Sequence, residues 1–147
     1  MSSASRDLER IAAAIEMLKA ELGAVEERLA LIASALSEIT LARKSLEALK
    51  GSSDNEILLP IGSEIRLPGV IKSLKPVVNV GRGVHVEMSV DRALKFLKER
   101  EDELKRTEEE LKGRMEEIFK QYEALNTQAA QIYTQMKGQG SGDVQIP

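Results

Sequence analysis

Ten successive apolar seam positions, spaced alternately by three and four residues, constrain this chain more than any other feature of it. They are Leu8, Ile11, Ile15, Leu18, Leu22, Val25, Leu29, Ile32, Leu36 and Ile39. A stripe this regular specifies a helix supercoiled against a partner helix. A second stripe runs Val90, Leu94, Leu97, Glu101, Leu104, Glu108, Leu111, Met115, Ile118, Tyr122, Leu125, Ala129, Ile132 and Met136, with only its two glutamates out of pattern. Between the stripes lies a short block rich in valine, isoleucine and leucine. The chain therefore reads as α+β: a long antiparallel coiled-coil helical hairpin with two β-hairpins at its bend.

The rest of the composition fits an elongated protein. Among 147 residues only Phe96, Phe119, Tyr122 and Tyr133 are aromatic and tryptophan is absent, which disfavours a compact core. Charged residues make up 31%, as expected of long solvated helices. No cysteine is present, so neither a disulfide framework nor a thiolate site is available. The net charge of −3 is small and its signs are interspersed, unlike the basic stripe of a nucleic-acid binder. No stretch approaches the roughly 18 apolar residues of a membrane span, and the first residues lack the apolar core of a signal peptide. A cytoplasmic protein bound to neither nucleic acid nor membrane is expected.

Four segments follow from the stop signals. Residues 5–50 form helix one, capped by Ser2, Ser3 or Ser5 and stopped by Gly51-Ser52-Ser53-Asp54-Asn55. Residues 51–88 form two β-hairpins from the runs Ile57–Ile61, Ile65–Ile71, Val77–Val80 and Val84–Met88. Gly81-Arg82-Gly83 supplies a tight turn, and Pro68-Gly69 is expected to bend the second strand. Residues 89–137 form helix two, begun after Ser89 and stopped by glycines from Gly138; residues 138–147 are expected to be a disordered tail. Each helix would span roughly 70 Å at 1.5 Å per residue.

An antiparallel register that sets Leu8 beside Ile132 and Leu46 beside Leu94 brings the polar break of the first stripe, Arg43, within a layer of Glu101. A charge pair there would fix register at a cost in stability; two long side chains snorkelling from the seam is the other reading. No catalytic constellation is found. His85 has no second histidine or cysteine to complete a metal site, so no metal or cofactor is expected. Gly81-Arg82-Gly83 lacks the spacing of a phosphate loop, and Glu108-Glu109-Glu110 reads as a solvated face.

Both helix ends far from the bend carry more apolar residues than one seam can bury. Leu8, Ile11, Ala12 and Ile15 crowd one end, and Ala129, Ala130, Ile132, Tyr133 and Met136 the other. They are either helix-forming alanines and fraying ends, or an exposed apolar tip that grips non-polar segments. In the sheet block, Ile57, Leu59, Val70, Ile71, Val78, Val80, Val84 and Val86 exceed what two hairpins can bury and are candidates for an oligomer interface.

The order helix, two hairpins, helix resembles the alpha-type subunit of prefoldin. Ile57-Leu58-Leu59-Pro60-Ile61-Gly62 looks like the family's first strand, Leu67-Pro68-Gly69 like its proline–glycine step, and Val78-Asn79-Val80-Gly81-Arg82-Gly83-Val84-His85-Val86-Glu87 like its second hairpin. The likeness covers about residues 5 to 137; Asn79 and His85 depart from the acidic and aromatic residues common there. It implies hairpins that join an oligomeric β-barrel of two alpha-type and four beta-type subunits. It also implies an ATP-independent holdase, archaeal in form, that captures unfolded client proteins at its coiled-coil tips and delivers them to a group II chaperonin. The alternative is a structural coiled-coil adaptor that tethers fixed protein partners. An enzyme and a membrane-surface helix find little support in the residues.

Overall fold

The computed structural model describes residues 2–52 and 55–142. Helix α1 spans Ser3–Gly51 and helix α2 Val90–Gly142, with strands β1 (Glu56–Gly62), β2 (Ile65–Val70), β3 (Val77–Gly81) and β4 (Val84–Glu87) between them. Ser2 and Ser89, which precede the two helices, act as their caps. Ser2 Oγ accepts from the Ser5 amide at 3.1 Å, and Ser89 Oγ accepts from the Arg92 amide at 3.2 Å, each satisfying an otherwise unpaired first-turn donor. Asp91 and Lys50 sit at the positive and negative helix ends where their charges are favourable, and they also pair with each other.

The chain divides into two compact units. One holds α1 as far as Ile32 with α2 from Thr107 onward. In it Ile11, Leu18, Val25 and Ile32, seven residues apart, are buried, as are Leu111 and Ile118. Ile118 is the most enclosed, with 1% of its surface exposed. Their alternates Ile15, Leu22 and Leu29 are half-buried, because a pair of helices closes one seam position of each heptad more fully than the other. Each fully buried aliphatic side chain contributes about 1.5–3 kcal/mol before ordering costs. Leu18 and Leu22 meet Ile118 and Tyr122 around one groove, while Ile11 meets Ile132 around another. Rising numbers in α1 therefore face falling numbers in α2, which is the antiparallel arrangement. An Arg114–Glu21 pair, bidentate at 2.6 and 2.7 Å, edges this seam.

The second unit, Ala33–Arg106, contains the rest of both helices and all four strands. Here the polar break of the seam is a direct contact: Arg43 donates to Glu101 at 2.8 Å, and Lys105 donates to the other carboxylate oxygen at 2.8 Å. Glu101 is buried. The hydrogen bond from Lys105, then the charges of Arg43 and Lys105, hold its carboxyl below the usual carboxylate range although burial opposes this.

The strands form two separate antiparallel pairs, β1 with β2 and β3 with β4. A backbone bond from Ile71 to Asn55 closes the first hairpin and one from Met88 to Pro76 the second. The ladder keeps its register through Pro68-Gly69, where a bend is expected: Leu58 faces Pro68, Ile57 faces Gly69, and the register shifts only between Pro60 and Gly62. An edge strand can hold a proline whose missing donor points outward. At Gly69 a Cβ would lie 3.2 Å from Leu59 Cδ1, so a larger residue there would push that leucine side chain aside by a few tenths of an ångström. The helix end corrects an expectation. α2 continues through Gly138 to Gly142, as glycine weakens a helix by about 1 kcal/mol without forbidding it. Residues 143–147 of the expected tail, and Ser53 and Asp54 of the expected stop, lie outside the described residues.

Candidate functional site

The two hairpins are built by matching turns. Gly62, Ser63 and Glu64 have φ of 131°, 23° and 64°, and Gly81, Arg82 and Gly83 have 122°, 51° and 75°. Two successive residues of positive φ match the right-handed twist of the strands they join, and the preceding glycine carries the register shift. What these turns present is apolar. Leu58, Leu59, Ile61, Ile65, Leu67 and Val70 each keep between 49% and 67% of their surface exposed, and Val77, Val80, Val84 and Val86 are also exposed.

Of the interface candidates, Leu59, Val70, Val80, Val84 and Val86 are thus uncovered within the chain, while Ile57, Ile71 and Val78 are half-buried. The expected interface residues leave out Leu58, Ile61, Ile65, Leu67 and Val77, which are exposed as well. Leu59 opposite Leu67 and Leu58 opposite Pro68 give the first hairpin two apolar faces. The unbroken apolar run from Ile57 to Ile61 is the signal that could have found them, because it marks a strand covered on both sides.

In the second hairpin Val78 and Val86 face each other, and Asn79 pairs with His85. His85 is exposed, with Nδ1 3.1 Å from the Gly83 carbonyl. Val80, Val86 and Met88 share a groove of about 420 Å³ with Phe96 and a rim of Arg92, Lys95 and Glu99. It has an apolar floor and a charged border, the form of a surface that receives another chain.

The tip candidates divide differently. Ile11 is closed into the seam and cannot meet a partner while the seam stands. Leu8, Ile15, Ala129 and Ile132 are half-buried, and Ala12, Ala130, Tyr133 and Met136 are exposed. Met17, three-quarters exposed, and Phe119, half-exposed, extend the uncovered apolar surface of this unit beyond those candidates. Phe119 lies off the heptad stripe, so the seam pattern passes over it, whereas Met17 belongs with the apolar residues that crowd the first helix end beyond the stripe. The Lys137 ammonium stands 5.5 Å from the Tyr133 ring and steadies it by a cation–π contact.

Among the described residues no cluster of three or more metal-ligating side chains occurs, and no helix is long and apolar enough to cross a membrane. Every perturbed titrating group is an ion-pair partner. Glu21 is held low by the hydrogen bond from Arg114, and Arg114 is raised by Glu21 and Glu117.

Two heptad helices joined by two apolar hairpins define a coiled-coil subunit built for assembly. Comparison with known proteins agrees. The family model for prefoldin subunits matches residues 7–135. Prefoldin subunit alpha of Pyrococcus horikoshii is 36% identical over 103 residues, covering 68% of this chain and 70% of that protein. Its counterpart in Thermococcus onnurineus is 32% identical over 103 residues, with the same coverage of both. A chain of filamentous PFD from Methanocaldococcus jannaschii, solved by electron cryomicroscopy, shares the fold with a TM-score of 0.50 and 24% identity across 83% of this chain and 97% of that one. The chain belongs to the prefoldin family of chaperones, as an alpha-type subunit.

Proposed function

We propose that this subunit works as an ATP-independent holdase in the cytoplasm. Its hairpins join those of beta-type subunits, two alpha with four beta, and the ends of its coil grip non-native polypeptides before release to a group II chaperonin. The observation that carries this is where uncovered apolar surface collects. It lies on both faces of the first hairpin, on the valine face of the second, and around Met17, Phe119, Tyr133 and Met136; single exposed leucines elsewhere, Leu31 and Leu41, are ordinary. Surface of the first kind suits permanent assembly, and surface of the second suits weak, repeated contact. Several weak contacts on one flexible chain raise its effective concentration while leaving each free to break. Methionine and tyrosine fit that task, one by adapting its shape and the other by tolerating water.

The test is aggregation of several unrelated denatured proteins in the presence of the assembled complex. Suppression across all of them is expected, and Ile132→Ser with Tyr133→Ser should weaken it while circular dichroism shows the helices intact. Saturable binding to one folded partner, with no suppression, would instead establish the adaptor.

A further inference from the structure

The edge of the seam changes chemistry along α2. The row that carries Arg114 and Glu117, both engaged in ion pairs, continues at alternating steps of three and four as Gln121, Ala124, Gln128, Gln131 and Gln135. From Ala124 to Gly142 the sole charged residue is Lys137. Gln128, Gln131 and Gln135 line one wall of a groove of about 350 Å³ whose floor is Ile11 and Ile132 and whose opposite wall is Asp7 and Arg10. The nearby hydroxyls are committed to the helix itself: Thr127 donates to the Glu123 carbonyl at 3.0 Å and Thr134 to the Ala130 carbonyl at 2.9 Å. Among the described residues the three glutamine amides make no hydrogen bond within the chain, and all three are exposed.

We infer that this amide row binds the backbone of an extended non-native polypeptide, through its peptide N–H and C=O groups, while the half-buried Ile132 beside it and the exposed Tyr133 that follows take up its side chains. An amide offers both a donor and an acceptor, as a peptide group does, so it serves either sense of a chain and any sequence. The spacing agrees. Gln131 and Gln135 are separated by about 6 Å along the helix, and same-side peptide groups of an extended strand repeat every 6.6–6.8 Å or so, a mismatch that two flexible side chains absorb. A folded protein has already paired its backbone groups internally, so the row discriminates non-native from native chains by something other than greasiness. The inference rests on the holdase reading, and names what feature of the client is recognised.

The experiment uses the full chain labelled with ¹⁵N and an uncharged, apolar fifteen-residue peptide in two forms, one unmodified and one with alternate backbone nitrogens methylated. The unmodified peptide should shift the side-chain amide signals of Gln128, Gln131 and Gln135 together with the backbone signals of Ile132 and Tyr133. The methylated peptide should bind about fivefold or more weakly, the loss expected for one or two hydrogen bonds, and should move Ile132 and Tyr133 only. Gln128→Met/Gln131→Met/Gln135→Met preserves helix propensity and adds apolar surface, yet should bind the unmodified peptide as weakly as the methylated one. Equal affinity of the intact chain for both peptides, or unimpaired binding by the triple variant, overturns the amide row and leaves the tip as a purely apolar grip. A peptide that perturbs no signal in this region overturns the holdase tip itself.

Discussion

The coil and the hairpins use the same aliphatic residues to opposite ends. In the coil Ile118 retains 1% of its surface, whereas Val70 in the first hairpin retains 67%. The coil satisfies itself, since each helix covers the other's stripe, and its residual polar groups pair across the seam as Arg43 with Glu101 and Arg114 with Glu21. Each hairpin is a two-stranded ladder with open edges, and such a ribbon is marginal alone in water. On the proposed reading, stability and assembly are written into different parts of the chain, and each can be broken while the other stands.

The most severe break is removal of residues 56–88 and their replacement by a flexible linker. Helical content should persist while assembly with beta-type chains is lost outright, as measured by light scattering. A full-sized complex from this variant would show that the helices, not the hairpins, carry assembly. The converse break is Ile118→Ala. It deletes enclosed methyl groups from the most buried position of the seam and should cost about 2–5 kcal/mol in urea unfolding. The hairpins should still recruit partner subunits at temperatures where the coil remains folded.

Much of this contrast is legible in the amino-acid order, for identifiable reasons. Heptad spacing is a strict signal, and all ten positions from Leu8 to Ile39 are buried or half-buried. The polar interruptions of the two stripes place Arg43 beside Glu101, because a charge within a seam needs an opposite charge close to it. The hairpins are legible from Gly81-Arg82-Gly83 and the prolines. Their second apolar face is not, since period-two alternation presumes that one side of a strand meets water. The glutamine row is hidden for another reason: uncharged polar residues at seam edges look like ordinary solvated surface until the groove beside them is seen. Gly138 misleads on the helix end, as propensity sets a local cost and not a stop.

A sharper test concerns the charged layer within the seam. Glu101 is held low by Lys105 and Arg43, so its contribution is present above the ordinary carboxylate range. It is lost as pH falls through the lowered folded-state value. Glu21 behaves likewise against Arg114. Lys105 and Arg114 are raised, so their part is retained through neutral pH and lost only far into the alkaline range. Tm should accordingly fall on acidification below about pH 4.3, the usual glutamate value. Glu101→Gln should lower Tm at neutral pH by leaving Arg43 and Lys105 against a neutral amide. Arg43→Leu with Glu101→Leu should recover or exceed the original Tm and flatten the acid limb. If the double variant melts below Glu101→Gln, the layer is a net source of stability instead of a device that fixes register.

The smallest effect lies in the hairpin turns, where the two ribbons can be set against each other. The second turn places Gly83 at a φ of 75°, but the first places Glu64 at 64° and Ser63 at 23°, where side chains other than glycine and asparagine are disfavoured. Ser63→Asn with Glu64→Gly supplies the residues this turn geometry prefers. Glycine relieves the strained backbone but also frees the unfolded chain, an offset of about 0.4–1 kcal/mol, so a net gain of no more than about 1 kcal/mol is expected. Global melting of the coil will not report it. Amide exchange will: the Ile71 amide bonds to the Asn55 carbonyl at 2.9 Å and closes the first hairpin, as Met88 to Pro76 at 3.0 Å closes the second. Slower exchange at Ile71 with no change at Met88 is the expected result, and Gly83→Ala should do the reverse, speeding Met88 alone. Should both amides respond to either change, the two ribbons are coupled within one chain, and the hairpin block is more self-supporting than its exposed leucines and valines imply.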